Sequence, residues 1–353
     1  MNLRTPLYDD HVQANAKFVD FSGWDMPVQY GSLTNEYLAV REKAGIFDVS
    51  HMGRFWISGP KAMEAIDRVV VSNIKKVEPG KARYTLVCNP DGGCKDDILV
   101  SRLNEDTFFV VVNASNREKL WNWFKEQFPD DVNFKDKTQE TGMIAIQGPE
   151  ALRIVDELVD IDPDTLGYFK IQQLSNSILL SRTGYTGEDG FEITAPKDQI
   201  SAYWKKAVEL CAKPAGLGAR DLLRLEMGYP LYGHEINEEI SPVQAGLGWT
   251  VHLKKEDFIG KDVLERQKME GTVLQQIAFQ LDGVGIPRQG CILYDGEDEV
   301  GEVTSGSFSP ILKKGIGMGL VSHKPQDLQV GIRNKKVKAQ LATLPFVESK
   351  VKK

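Results

Sequence analysis

The chain has 353 residues, 41% of them hydrophobic and 26% charged, and carries a formal net charge of −7. That length and apolar content suffice for roughly two or three hydrophobic cores of ordinary domain size. The acidic balance leaves no basic field to hold a phosphate backbone, which argues against nucleic acid as a partner; no apolar run approaches the roughly 20 residues that cross a bilayer, which argues against a membrane.

The opening stretch MNLRTPLYDDHVQANAKF lacks the apolar centre of a secretory signal and has acids too early for a transit peptide, so a cytoplasmic protein is expected. Apolar spacing predicts a helix over 33–44, stopped by Gly45. RFWIS (54–58) reads as a strand. Gly59-Pro60 and Gly148-Pro149 put a proline where a helix can begin, before AMEAIDRVV and EALRIVDELV. Between them ARYTLVCN, DILVSRL and TFFVVVNA are β-branched or aromatic runs bounded by Gly, Asn and Asp, and read as strands. Ser115 and Glu118 fit a capping box ahead of Leu120, Trp123, Phe124 and Phe128, which share one helical face. GMIAIQG, SILLSR and GFEITA are further strands, and 198–212, 219–227 and 260–269 further helices. Strands that arrive in adjacent pairs predict an α+β fold with antiparallel sheets. After about residue 271 helical periodicity stops. VLQQIAFQL, GCILYD, EVGEVTS, GIGMGLV and KVKAQLA, separated by Gly-rich turns, predict a separate β-barrel or sandwich, and the charged tail ESKVKK is expected to be disordered.

Cys88, Cys94, Cys211 and Cys291 form no CxxC pair and lie apart in sequence, against both a zinc site and a redox couple. The five histidines show no HxH or HExxH spacing, so no metal is expected. GIGMGL (315–320) has no following helix whose N-terminal dipole would hold a pyrophosphate, so neither a flavin nor a nucleotide is supported.

Three segments carry candidate chemistry. In NPDGGCKDDILV (89–100), strand alternation sends Asp96 and Asp97 to opposite faces, so only one enters a given pocket. Alone, the segment reads most simply as two solvated turn acids; the functional alternative is a partly desolvated acid that holds or moves a proton on a nitrogen nucleophile. In SRTGYTGEDGFEIT (181–194), Glu192 is charged between Phe191 and Ile193. If its face is buried it needs donors, and a ligand with paired N–H groups would supply them. In GARDLLRLEMGYPLYGHEI (218–236), Arg220 and Arg224 share a helical face. They form either an internal salt-bridge network or a carboxylate-binding fork.

Together these segments resemble the aminomethyltransferases, or T-proteins, of the glycine cleavage system. FSGWDMPVQY (21–30), FDVSHMG (47–53), RYTLVCNPDGGCKDDILV (83–100), VVNASN (111–116), RTGYTGEDGFEI (182–193), the Arg220 segment and GIRNKKVKAQLATLPF (331–346) match in order and spacing. The resemblance implies a three-lobed cloverleaf with antiparallel sheets and a C-terminal β-barrel. A folate-binding region 1–270 would comprise a discontinuous first lobe, roughly 1–50 with 142–270, and a second lobe, roughly 51–141; the barrel would span 271–348 and the tail 349–353. It implies transfer of the one-carbon unit of an aminomethyl group, carried on the lipoyl arm of an H-protein, to tetrahydrofolate with release of ammonia.

By the same resemblance Glu192 matches the acid that binds the pterin, and Arg220 an arginine associated with the anionic glutamate tail of folate. Tyr84, Tyr185 and Tyr229 match aromatic residues lining the folate cavity. Met52, Val111 and Asn113 fall at pocket positions, and Arg333 resembles an arginine near the cavity mouth. Asp97 matches the essential aspartate, expected to orient the reacting folate nitrogens, assist proton movement and stabilise developing positive charge, which leaves Asp96 as its outward partner. Two rival classes share the scaffold. A folate-dependent demethylase would keep the same pocket, and a folate-binding accessory protein without one-carbon chemistry would carry a KGCYxGQE-type motif, which this chain lacks.

Overall fold

The computed structural model describes residues 2–175 and 177–352. Paired strands build two sheets and a closed barrel, the expected α+β architecture. One sheet has five antiparallel strands, in the order Lys81–Cys88, Cys94–Arg102, Thr107–Val112, Gly53–Ser58 and Asn133–Asp136. The second has six, in the order Ile171–Gln173, Leu179–Ser181, Gly190–Pro196, Thr141–Gln147, Gly45–Asp48 and Lys213–Pro214, the last pairing parallel. Six strands between Gln275 and Leu341 close the barrel. A hairpin of Lys17–Phe21 and Trp24–Gln29, not anticipated from strand composition, flanks the second sheet's helices.

The strand Cys94–Arg102 lies inside its sheet and is covered on both faces. Ile98 and Val100 enter a core with Phe55, Leu120 and Phe124, whereas Leu99 packs among Phe109 and Val111. Register then builds a row: Leu99 is opposite both Tyr84 and Val111. Asp97, two residues before Leu99, and Asn113, two after Val111, extend that row to the end of the sheet.

The helix Leu33–Glu42 begins where Ser32 accepts the amide of Asn35 at 3.4 Å. The helix Leu217–Glu226 starts two residues earlier than expected, because the amide of Gly216 is anchored on Glu36 at 2.9 Å. The capping box does not form. Ser115 sits in a short 3-10 turn, and Asn116 occupies the cap of the helix Arg117–Gln127 with its side chain turned to Asp96 at 2.6 Å.

Two further expectations change. Cys88 and Cys94, six residues apart, are direct partners across the hairpin. Both are buried free thiols, and burial pushes the Cys94 thiol well above its usual range, which keeps it protonated and unreactive. The tail is docked: the Phe346 amide donates to the Glu226 carbonyl and the Lys350 amide to the Gly187 carbonyl, each at 2.8 Å.

The barrel is bonded to the first lobe through buried polar groups. Ser309 donates to Glu226 at 2.6 Å, and Glu226 also accepts from Tyr37 at 2.8 Å and Arg41 at 2.6 Å. Thr304 donates to Glu235 at 2.6 Å and Arg224 to Ser305 at 2.8 Å.

Candidate active site

A cavity of about 1250 Å³ opens where the two sheets meet the barrel, with Tyr84, Tyr185, Tyr229 and Trp249 in its walls. Tyr185 and Tyr229 stack at 5.6 Å, and Tyr84 and Trp249 at 6.1 Å. These flat walls suit a planar ring. Sequence reasoning missed Trp249; its signal is an exposure of 66%, which only the fold reveals.

Tyr84 reaches from this wall to Asp97, donating its hydroxyl to Oδ2 at 3.0 Å, while Asn113 Nδ2 donates to Oδ1 at 2.7 Å. Burial pushes the Asp97 carboxyl up to about 6, and these two donors keep it from rising further. At neutral pH it is a carboxylate, yet its pKa is close enough to exchange a proton. Asp96 is not an outward, solvated partner. It is fully buried on the opposite face, accepting from the Asn113 amide at 3.0 Å, Asn113 Nδ2 at 2.8 Å and Asn116 Nδ2 at 2.6 Å. Burial, then the charge of Asp97, raises its pKa well above the usual range. Asn113 bridges the two acids and fixes the face each one takes.

Glu192 lies on the interior strand Gly190–Pro196 between the core residues Phe191 and Ile193. It is 9% exposed and accepts from the Thr183 hydroxyl. Burial raises its pKa, opposed by that donor and by the charge of Arg220. The two arginines separate. Arg224 takes the internal network, with Asp221 at 2.8 Å, Glu235 at 3.0 Å and the Tyr229 carbonyl at 3.1 Å. Arg220 stays open: its buried Nη1 has no partner among the described residues, and its guanidinium carbon lies 4.8 Å from the centre of the Tyr185 ring. Arg220 and Glu192 each shift the other's ionisation: the guanidinium opposes the rise of the Glu192 pKa, and the carboxylate opposes the fall of the Arg220 pKa that burial causes.

The sequence profile described as "GCVT N-terminal domain" matches residues 7–255, and that described as "Glycine cleavage T-protein C-terminal barrel domain" matches residues 275–348. The chain belongs to the glycine cleavage T-protein family. A protein named aminomethyltransferase from Thermosipho melanesiensis is 43% identical over 358 residues, covering 99% of this chain and 98% of its own. One from Alkaliphilus oremlandii is 45% identical over 365 residues, covering 99% of both chains. The crystal structure of glycine cleavage system aminomethyltransferase T from Bartonella henselae superposes with a TM-score of 0.96 at 30% identity, covering 100% of both chains.

The remaining positions that matched the T-protein pattern divide. Val111 lies on the Asp97 face, and Met52 is half-buried with its carbonyl accepting from Arg54 at 2.6 Å. Arg333 does not line the cavity. It is exposed at the turn between the barrel strands Leu328–Ile332 and Lys335–Leu341, at the opposite end of the latter from the lining residue Leu341. Its expected place at the cavity mouth is therefore not met.

His51 is a second residue that sequence spacing passed over. It is buried and pushed down to about 3 by burial, so its imidazole is neutral, and its Nδ1 has no partner among the described residues. Among the described residues no group of three or more His, Cys, Asp or Glu side chains is placed to hold a metal ion, and no helix is long and apolar enough to cross a membrane.

Proposed function

We infer that the chain is the aminomethyltransferase of a glycine cleavage system, taking the one-carbon unit of an aminomethyl group on a lipoylated H-protein and delivering it to tetrahydrofolate. Ammonia, 5,10-methylenetetrahydrofolate and dihydrolipoyl H-protein are the products. The observation that carries the site assignment is Asp97, a half-buried carboxylate with a pKa near 6 held by Tyr84 and Asn113 beside an aromatic cavity.

Glu192 presents a carboxylate with one side-chain donor, and a pterin offers an amino group beside a ring N–H, a donor pair that matches it. Arg220, whose charge acts on Glu192, has an unused N–H for a pterin acceptor and a face stacked on Tyr185. That supports the pterin ring at Glu192, with Tyr84, Tyr185 and Tyr229 enclosing the rest of the folate. Met52 and Val111 supply apolar contacts.

One folate nitrogen attacks the methylene carbon as the carbon–sulfur bond breaks, and the second folate nitrogen then displaces the amine; each nitrogen loses its proton, one proton leaving with the ammonia and the other ending on the lipoyl thiolate. Asp97 is the acceptor, and as an anion it also stabilises the cationic carbon centre before attack. Tyr84 and Asn113 orient the carboxylate. No enzyme-bound covalent intermediate is needed, since the thioether already carries the carbon and the cavity supplies proximity.

The test is ammonia release from aminomethyl-loaded H-protein with and without tetrahydrofolate. Folate-dependent release by the unmodified chain, lost in Asp97→Asn with folate binding retained, is the expected outcome. Folate binding without release would point to an accessory protein and overturn the assignment.

A further inference from the structure

The chain continues past the barrel. After the last barrel strand, Lys335–Leu341, the segment 342–352 leaves the barrel and reaches the first lobe. Phe346 anchors it: its side chain is buried with Leu225, Ala278, Ile316 and Met318, and its amide donates to the Glu226 carbonyl at 2.8 Å. Leu344 lies against Gly228, whose missing side chain leaves room for it. Beyond this anchor the segment runs along the cavity, where Ser349 and Val351 stand in the same wall as Tyr84, Tyr185 and Trp249.

The far end is fastened at one place. The Gly187 carbonyl accepts from the Lys350 amide at 2.8 Å and from the Ser349 hydroxyl at 3.3 Å, and Lys350 Nζ lies 3.7 Å from Glu188. The post is rigid. Gly187 has a φ of +77° and is pressed on Met227, so that a Cβ there would run into the Met227 side chain. Arg41 holds its neighbours, donating to the Thr186 carbonyl at 2.8 Å and to Glu188 at 3.0 Å. The latch itself is light: Ser349 and Lys350 are exposed, and Glu188 already has Arg41, so an exposed lysine adds little. Val351 is half-buried yet, among the described residues, joins none of the hydrophobic cores. A segment firm at Phe346 and lightly held at Gly187 can open while both cores stay intact.

Resting on the reading of the cavity as the tetrahydrofolate site, we propose that residues 347–352 are a strap that opens to admit folate and closes by latching on Gly187 and Glu188, keeping bulk water from the aminomethyl carbon. The reaction it suppresses is hydrolysis. Water in place of the first folate nitrogen would form a carbon–oxygen bond to the methylene carbon as the carbon–sulfur bond breaks. One water proton ends on the lipoyl thiolate, and the hydroxyl proton moves to the amine as the aminomethanol splits into formaldehyde and ammonia. The one-carbon unit is then lost although ammonia is still released. A cavity of about 1250 Å³ with an open wall has room for such water, whose share of liquid volume is about 30 Å³.

The experiment measures ammonia and formaldehyde released from aminomethyl-loaded H-protein, with and without tetrahydrofolate, by the unmodified chain and by a chain shortened to end at Glu348, which keeps the Phe346 anchor. The shortened chain is expected to release formaldehyde without folate about tenfold faster. With folate present it should still divert part of the one-carbon unit to formaldehyde, and its thermal unfolding midpoint should stay close to that of the unmodified chain. Lys350→Glu, which sets an anion beside Glu188 in a full-length chain, should raise formaldehyde release about threefold. Equal formaldehyde release by the unmodified and shortened chains overturns the strap. So does a fall in both reactions together with a lowered midpoint, which assigns the tail to holding barrel and first lobe together. Failure of the unmodified chain to release ammonia in a folate-dependent way would instead sink the reading of the cavity, and the strap with it.

Discussion

Two groups of charged side chains beside the cavity, one around Asp97 behind Tyr84 and one around Glu192 and Arg220, are finished to different degrees. In the Asp97 group every acid oxygen has a protein donor: Tyr84 and Asn113 serve Asp97, and Asn113 and Asn116 serve Asp96. In the Glu192 group one hydroxyl serves the carboxylate and Arg220 Nη1 has no partner among the described residues. A buried polar group left short of partners is costly unless something else completes it. The complete group is set for a reaction that needs a fixed carboxylate, and the incomplete group is set for a ligand that brings its own donors and acceptors.

The largest effect that can break this contrast is Asp97→Asn. It should lower kcat about 10²–10⁴-fold while KM for folate changes little, measured as ammonia release; a comparable loss from Asp96→Asn alone would reverse the roles. Next is Glu192→Gln, which removes a charge-assisted pair and should raise the folate KM about 10–100-fold with kcat less affected. A third comparison sets the two arginines against each other. Arg224→Ala strands the buried Glu235 and should cost about 3–5 kcal/mol in thermal or urea unfolding. Arg220→Met, which breaks no ion pair, should cost about 1 kcal/mol and act on folate KM instead.

The smallest effect concerns pH. Folding raises the Asp97 pKa to about 6, so between its unfolded value and 6 the folded chain holds a proton that the unfolded chain has released. This group's contribution to stability is therefore complete at low pH and is lost as pH rises through about 6, while activity climbs over the same interval as the carboxylate forms. Asp97→Asn should flatten that slope in unfolding experiments. Unchanged slopes would place the raised pKa elsewhere.

Much of this was legible in the sequence. Helices, most strands and the barrel followed from periodicity and turn residues, and Asp97, Glu192 and Arg220 were singled out before their neighbours were known. The rest depended on contacts distant in sequence. Alternation correctly separated Asp96 from Asp97, but it says nothing about what covers the second face; an interior strand with helix Arg117–Gln127 behind it buries Asp96 and leaves Asp97 half-buried on the other face. Asn116 outcompeted the Ser115 capping box by reaching across to Asp96, about twenty residues away. Cys88 and Cys94 looked unpaired because spacing was counted along the chain, whereas the Gly92-Gly93 turn folds one onto the other. Arg333 matched a pattern, yet the barrel carries it to the wrong end of a strand.

The polar seam between barrel and first lobe limits how this protein can be taken apart. Ser309 completes Glu226, Ser305 joins Arg224 and Thr304 meets Glu235, all with side chains out of water. A fragment ending near residue 270 would expose Glu226, Arg224 and Glu235 together, and these sit on or just after the helix that carries Arg220. Cutting the chain at its most obvious sequence boundary would thus loosen the helix that carries Arg220 from behind. A split version meant to retain the site would need both pieces present and reassembled, with the barrel acting as the missing half of a lock rather than as cargo.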